Sequence, residues 1–492
     1  AAPPSGAAVE DEVTAIASSK EDLTSSGGQS QDARLAANGR FVAFTSTSVV
    51  LTPGVNTSFR HVYLHDLWTD QKTLISHDQA GAANSSEARA SAITKDGSHV
   101  AFVTTAKLDP ADTNAFWDVY VWTRATDEVE LVSKGYNGAV TDGDSGTISG
   151  NPTVAISDDG RYVAFSSKAT NLTTLNDTNA KADVFRRDRT AGSTSVLSLN
   201  GAQQLNGDST EPDMSGDGRY IVFTTAATNL TGTDTNAATD VWLRDTNAIS
   251  PVKVSQGQDA DPNGASLHPK VSNDGNLIAF QSAASDLVAS DTNGTYDIFL
   301  RNRTASSTTR VSVHDTTGAQ LPSFSVDPDL SPDGTKVAFT AKSPAVAADT
   351  NGLNDIYVRS GSATTLRSVT SANDTVSADS DNASIDSNGD VAWTSNGAFA
   401  TTDTNSLYDV FVRQDLFLGP FQDVPYFTGV QLQRFRGVAP SGSAVAAQAS
   451  RSTGAGSVTG RGSKTWSCTA SSANRLTSIA LGTPSPARRR DR

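Results

Sequence analysis

The sequence predicts an all-β fold, a seven-bladed β-propeller of four-stranded blades over residues 13–416, and three observations predict it. A turn-and-strand segment recurs seven times at near-constant spacing. Each copy carries two nearly continuous apolar runs, the pattern of strands covered on both faces. The N-terminus supplies one strand that the last copy lacks.

The recurring turn is Asp-Gly or Asn-Gly, as in Asn38-Gly39-Arg40-Phe41-Val42-Ala43-Phe44 and Asp333-Gly334-Thr335-Lys336-Val337-Ala338-Phe339. The turn glycines Gly39, Gly97, Gly160, Gly218, Gly275, Gly334 and Gly389 stand 55 to 63 residues apart. Such dipeptides between apolar runs mark hairpins, because both turn residues must tolerate positive φ. Strand a precedes the turn (Pro269-Lys270-Val271-Ser272) and strand b follows it (Leu277-Ile278-Ala279-Phe280). Strand c is Asp297-Ile298-Phe299-Leu300-Arg301 and strand d is Thr309-Arg310-Val311-Ser312, each with counterparts in the other copies. The seventh copy stops at its strand c, Asp409-Val410-Phe411-Val412-Arg413, whereas Val13-Thr14-Ala15-Ile16-Ala17-Ser18 reads as a strand d without a blade. Pairing the two closes the ring and removes an exposed sheet edge. Residues 1–12 are then a flexible N-terminal segment, and 417–492 form an extension that opens apolar and continues basic and largely disordered.

The chain has 492 residues, a net charge of −15 and 37% hydrophobic residues. Ten Arg or Lys and two Asp or Glu lie in 417–492, a net +8 that leaves −23 on residues 1–416. An acidic body argues against nucleic acid and for cations or basic partners. No run of about 18 apolar residues is present to enter a membrane. Cys468 is the single cysteine, which rules out an internal disulfide framework and a Cys-based zinc site. Ala1-Ala2-Pro3-Pro4-Ser5-Gly6 reads as a mature N-terminus after signal-peptide removal, so a secreted or extracytoplasmic protein is expected.

The most regular polar feature is Asp-Thr-Asn-x-x-x-Asp at the start of strand c. It occurs as Asp112, Asn114 and Asp118; Asp177, Asn179 and Asp183; and Asp234, Asn236 and Asp240. It returns as Asp291, Asn293 and Asp297; Asp349, Asn351 and Asp355; and Asp403, Asn405 and Asp409. The first blade has Val55, Thr57 and His61 instead. Two carboxylates and an amide oxygen in seven residues are hard donors suited to structural Ca²⁺. The alternative is a series of Asx turns, in which the same side chains cap their own backbone. A motif in six of seven blades is structural rather than catalytic in either case.

Binding residues are sought where the repeat breaks. His61, His65, Trp68, Phe116, Trp117 and Trp122 crowd the first two blades, while Tyr296 and Tyr408 share Trp117's place directly before the second motif Asp. Aromatic faces beside acids and amides suit a sugar, and they serve packing between blades equally well. The histidines His61, His65, His77, His99, His268 and His314 are scattered, so no catalytic constellation is evident.

The string Ser331-Pro332-Asp333-Gly334-Thr335-Lys336-Val337-Ala338-Phe339, followed by Asp355-Ile356-Tyr357-Val358-Arg359, resembles the TolB-like, WD-like propeller repeat. The family is tied to peptidases, lyases, envelope scaffolds and adhesive proteins, so the resemblance implies fold more than activity. The peptidase members carry a Gly-x-Ser-x-Gly elbow that is missing here. The chain also resembles lectin-type propeller subunits of secreted bacterial particles such as the umbrella toxins. The expected function is therefore non-catalytic recognition of a glycan or protein partner, possible within a larger extracellular assembly. The alternatives are an enzyme acting on polysaccharide or peptide at the propeller axis and a TolB-like envelope scaffold.

Overall fold

The structure, a computed structural model, describes residues 12–19, 27–55, 59–148, 151–230, 234, 236–257, 261–415, 435–439 and 443–447. Residues Glu12–Asp415 form one compact unit. Within it seven antiparallel sheets of four strands follow one another, each in the order a-b-c-d. In blades 1 and 2 the strands are Ser30–Leu35, Phe41–Ser46, His61–Asp66 and Gln71–Leu74, then Ala88–Ile93, His99–Thr104, Asp118–Thr123 and Glu128–Leu131. Blades 3 and 4 use Val154–Ile156, Tyr162–Ser167, Asp183–Asp188 and Ser193–Val196, then Ser209–Met214, Tyr220–Thr225, Asp240–Asp245 and Val252–Lys253. Blades 5 and 6 use Ser266–Val271, Leu277–Ser282, Asp297–Asn302 and Ser307–Arg310, then Ser325–Leu330, Lys336–Ala341, Asp355–Ser360 and Ala363–Leu366. Blade 7 combines Ser380–Ile385, Val391–Ser395 and Asp409–Asp415 with the N-terminal Glu12–Ile16.

The ring closes as the sequence predicts. Glu12–Ile16 pairs antiparallel with Asp409–Asp415, Thr14 opposite Arg413 and Ile16 opposite Phe411. Arg413 is 1% exposed and donates to Thr14 Oγ1 at 3.0 Å and to the Thr370 carbonyl at 3.0 Å. Burial of so long a side chain at the seam ties the first strand of the chain to its last blade. Helix is limited to one 3₁₀ turn, Tyr136–Gly138, among the described residues.

The apolar core lies between blades rather than within them. Val222, Val241 and Leu243 of blade 4 pack on Ile278, Phe280 and Phe299 of blade 5, and the same arrangement links blade 7 to blade 1 through Val410, Val412, Val42 and Phe44. This explains the continuous apolar runs of strands b and c: both faces of every blade meet a neighbour. Strands b and c add a stacked aromatic pair in six blades, with ring centroids 5.7 to 6.0 Å apart. The turn glycines hold the seam at the other end. Gly275 has φ +72°, and a Cβ there would stand 2.1 Å from the Tyr220 ring of the preceding blade. Only a residue without a side chain lets that ring lie flat on the turn.

A second antiparallel pair, Phe435–Ala439 with Ser443–Ala447, is the described part of the C-terminal extension. Phe435-Arg436-Gly437-Val438-Ala439 and Ser443-Ala444-Val445-Ala446-Ala447 are short, Val-containing segments able to pair locally. The rest of 417–492 and of 1–12, including the expected disorder and flexibility, lies outside the described residues apart from Glu12.

Candidate functional site

Strand order fixes which loops share a face. The b–c and d–a loops emerge at one end of every blade, and the a–b and c–d turns at the other. The Asp-Thr-Asn motifs are b–c loops, so all six stand on the first of these faces. In each, the Asn Oδ1 accepts the backbone N–H two residues on, from Phe116, Lys181, Ala238, Thr295, Leu353 and Leu407 at 2.7 to 3.1 Å. The first Asp accepts the Asn backbone N–H in five of the loops, as in Asn114 N to Asp112 Oδ1 at 3.2 Å. The Asx-turn alternative is thus realised in every copy.

The second Asp has a different task. Its Oδ1 accepts a serine hydroxyl that closes strand d: Asp118 from Ser133, Asp183 from Ser198, Asp240 from Ser255, Asp297 from Ser312 and Asp355 from Ser368, at 2.5 to 2.9 Å. Asp409 takes the same bond from Ser18, supplied by the N-terminal strand, at 2.7 Å. The serine in turn accepts the next backbone N–H of strand c, as Val119 N does to Ser133 Oγ at 2.9 Å. Blade 1 replaces the acid by His61, whose ring bonds Asn84. Burial pushes the carboxyls of Asp118, Asp183, Asp355 and Asp409 up to about 6.

Opposite the third residue of strand c, one register position on strand d sorts the blades. It holds Leu74, Leu131, Val196, Lys253, Arg310, Leu366 and Ile16 in turn. In blade 4 the Lys253 ammonium lies 2.7 Å from both Asp240 and Asp261. In blade 5 the Arg310 guanidinium reaches Asp291 at 3.3 Å, and Gln320 Nε2 bridges Asp291 and Asp297 at 2.6 and 2.7 Å. In blades 2 and 6 a tyrosine of strand c serves the first acid instead, Tyr120 to Asp112 at 2.6 Å and Tyr357 to Asp349. No group of three or more His, Cys, Asp or Glu side chains is placed to hold a metal ion among the described residues. An ion in these loops would rest on a carboxylate pair, with carbonyls or water completing its shell.

The strands a line the axis. Asp32, Glu211, His268, Asp327 and Asn382 occupy the same place in blades 1, 4, 5, 6 and 7, each at positive φ (51 to 57°) beside a shift in the a–b register. Three of them interact across blades: His268 lies 3.2 Å from Glu211 and 2.9 Å from Asp327. Burial lowers the affinity of this imidazole for a proton, but the two carboxylates outweigh it and push the group up to about 10. His268 therefore stays a cation at neutral pH. The ring position one step along also carries acids: Asp213 accepts Val271 N at 2.8 Å, and Asp329 accepts Ile385 N at 2.9 Å. Sequence reading had scattered the histidines and missed this cluster.

Exposed apolar side chains are unevenly placed. Ten large ones exist among the described residues, and seven stand on the b–c and d–a loop face. These are Val49, Val50 and Phe59 in blade 1, Phe116 in blade 2, Tyr136 in the loop after it, Leu175 in blade 3 and Tyr408 in blade 7. The four blades are consecutive around the ring. Of the aromatics singled out from sequence, Phe116 and Tyr408 are 40% exposed and belong to this arc. The others lie outside this arc or are covered. His61 and His65 are buried in strand c of blade 1, and burial lowers the pKa of both. Trp122 is 2% exposed between blades 1 and 2, its indole N–H on Asp127 at 2.8 Å. Trp117 packs into the core between blades 2 and 3, and Tyr296 is half-buried. Trp68 is 74% exposed but stands on the c–d turn, at the opposite face, with the Arg40 guanidinium 4.8 Å over its ring. Side chains inside strand c face a neighbouring blade, and sequence position near a break does not reveal that.

No protein-family model matches the chain, and no curated protein matches it. Solved structures of similar shape include an oligogalacturonate lyase from Vibrio parahaemolyticus, 13% identical, covering 82% of this chain and 91% of that one with a TM-score of 0.46. An acylaminoacyl peptidase from Pyrococcus horikoshii is 10% identical, with 85% and 57% covered and a TM-score of 0.46. TolB from Acinetobacter baumannii is 14% identical, with 67% and 63% covered and a TM-score of 0.37. The chain spans less than two thirds of the length of that TolB and of that peptidase. At these values the likeness carries no argument about what the chain binds.

Proposed function

We propose that the chain is an exported, non-catalytic recognition propeller that binds a glycan through the b–c and d–a loop face of blades 7, 1, 2 and 3. One observation carries the reading: seven of ten exposed large apolar side chains fall on that face of those four blades. Strands need no such exposure, and apolar side chains gathered on one face mark a site for a partner more than the same number spread over the surface. A glycan suits the arc better than a flat protein surface because its rings stand singly beside polar groups. Phe116 follows Asn114, whose amide donates to Thr141 at 3.0 Å, and Tyr408 follows Asn405. A sugar ring packs its C–H face on the aromatic while acids and amides take its hydroxyls.

The charge state of the axial histidine agrees with the non-catalytic part. His268 is the axial histidine, and an imidazolium held between two acids does not accept a proton at neutral pH. The same cluster also supports a second reading, an enzyme of the axis in which the imidazolium donates a proton or holds an anionic group. Screening the full chain on a glycan array tests the first reading, with a polysaccharide and peptide cleavage assay in parallel. Selective glycan binding without cleavage is expected. Cleavage lost in His268→Ala would establish the enzyme instead, and binding of proteins without any glycan would replace the ligand class.

A further inference from the structure

The six Asp-Thr-Asn loops share one backbone, yet each brings different partners to its two acids. Blade 4 has Lys253 and blade 5 has Arg310 with Gln320. Blades 2 and 6 have Tyr120 and Tyr357 on the first acid. Blade 3 turns the Asn179 amide onto Asp183 Oδ2 at 3.3 Å. Among the described residues, blade 7 has no lysine, arginine, glutamine or tyrosine on its acids, and the Asn405 amide faces Asp409 without reaching hydrogen-bond geometry. Its register position is Ile16, and the residue opposite is Phe411. Asp403 is 8% exposed and Asp409 0%, and Oδ2 of each is buried without a hydrogen-bond partner. It is the one motif loop, among the described residues, in which both acids are left so.

Two buried carboxylates facing one space repel each other, and each unpaired oxygen loses its hydration. Blades 4 and 5 show what the same backbone does with a cation: in blade 5 the Arg310 guanidinium sits against both motif acids, Asp291 and Asp297, and in blade 4 the Lys253 ammonium sits against the second, Asp240, and against Asp261. We propose that blade 7 holds a divalent cation, Ca²⁺ by its preference for carboxylate oxygens, between Asp403 and Asp409, in the place that Lys253 and Arg310 fill in blades 4 and 5. The site stands at the ring closure. Asp409 accepts the Ser18 hydroxyl through its other oxygen, and Ser18 Oγ accepts Val410 N at 3.0 Å. The ion therefore fixes the carboxylate on which the N-terminal strand is latched, and its loss loosens the seam between the first and last strands.

The test is calorimetric titration of CaCl₂ into the chelator-treated full chain, with thermal melts at matched Mg²⁺. About one tight Ca²⁺ per chain is expected, with a rise in Tm of about 3 °C or more that Mg²⁺ does not match. Asp403→Asn abolishes both effects. Ile16→Lys, which supplies the side chain of blade 4, abolishes Ca²⁺ binding while keeping the raised Tm. If Ile16→Lys shows no cooperative melt, Asp403→Asn alone decides. Absence of tight binding, or binding that survives Asp403→Asn, overturns the proposal.

Discussion

Blades 4 to 6 and blades 7 to 3 are built on the same strands in the same register, yet their shared loop face differs. In blades 4 to 6 it is polar and internally paired, with Lys253 on Asp240 and Asp261, Arg310 on Asp291, and Tyr357 on Asp349. No large apolar side chain stands exposed there among the described residues. In blades 7, 1, 2 and 3 the same loops present Tyr408, Phe59, Phe116 and Leu175 to water. The difference teaches that strand packing between blades leaves the loops free. The core contacts of Phe280 and of Phe44 are alike whatever their loops carry, so one sector can close on itself while the other stays open to a ligand.

The comparison can be broken first at its premise. Phe280→Ala removes a fully buried ring from the seam of blades 4 and 5 and should cost about 3–5 kcal/mol, measured by denaturant unfolding. Phe116→Ala touches only the loop and should stay within about 0.5 kcal/mol. Equal losses would show that loops and seams are not independent. Next in size is Lys253→Met. It leaves Asp240, whose side chain is 3% exposed, and Asp261 without their cation, at a cost of about 3 kcal/mol. A neutral result would mean that the polar sector is not held by its internal cations.

The axis offers a smaller, pH-dependent test. His268 has its pKa raised from the ordinary 6.5 to about 10 in the folded chain. Its contribution is complete below pH 6.5 and is lost as pH rises from 6.5 through about 10. At 41% side-chain exposure, solvent screening holds the effect to about 1–2 kcal/mol. Melting temperature should therefore fall between pH 7 and pH 10, and His268→Gln should flatten that slope. An unchanged slope in the variant would remove His268 from the account.

Much of this fold was legible because its signals are local. Asp-Gly turns, apolar strand pairs and the stray strand at 13–18 each declare themselves within a few residues. The serine latch was legible too but unread: Ser133, Ser198, Ser255 and Ser312 each follow the motif acid by fifteen residues. The axial cluster was not legible. Glu211, His268 and Asp327 are 57 and 59 residues apart and meet only because a register shift, held at positive φ by residues other than glycine, repeats in neighbouring blades. The aromatics near the repeat breaks divide for the same reason. Trp122 and Phe116 are six residues apart, but one lies in a strand between blades and the other on a loop.

The central claim is that the ligand meets the open sector and not the closed one. Tyr408 of blade 7 and Tyr296 of blade 5 hold the same loop position, the residue before the motif acid. The most direct measurement is the affinity of the array-selected glycan for Tyr408→Ala, Phe116→Ala and Tyr296→Ala chains of unchanged Tm. The account predicts a loss of about tenfold or more for the first two, in keeping with one ring–sugar contact each, and none for Tyr296→Ala. Full affinity in Tyr408→Ala and Phe116→Ala, with loss in Tyr296→Ala, would contradict it.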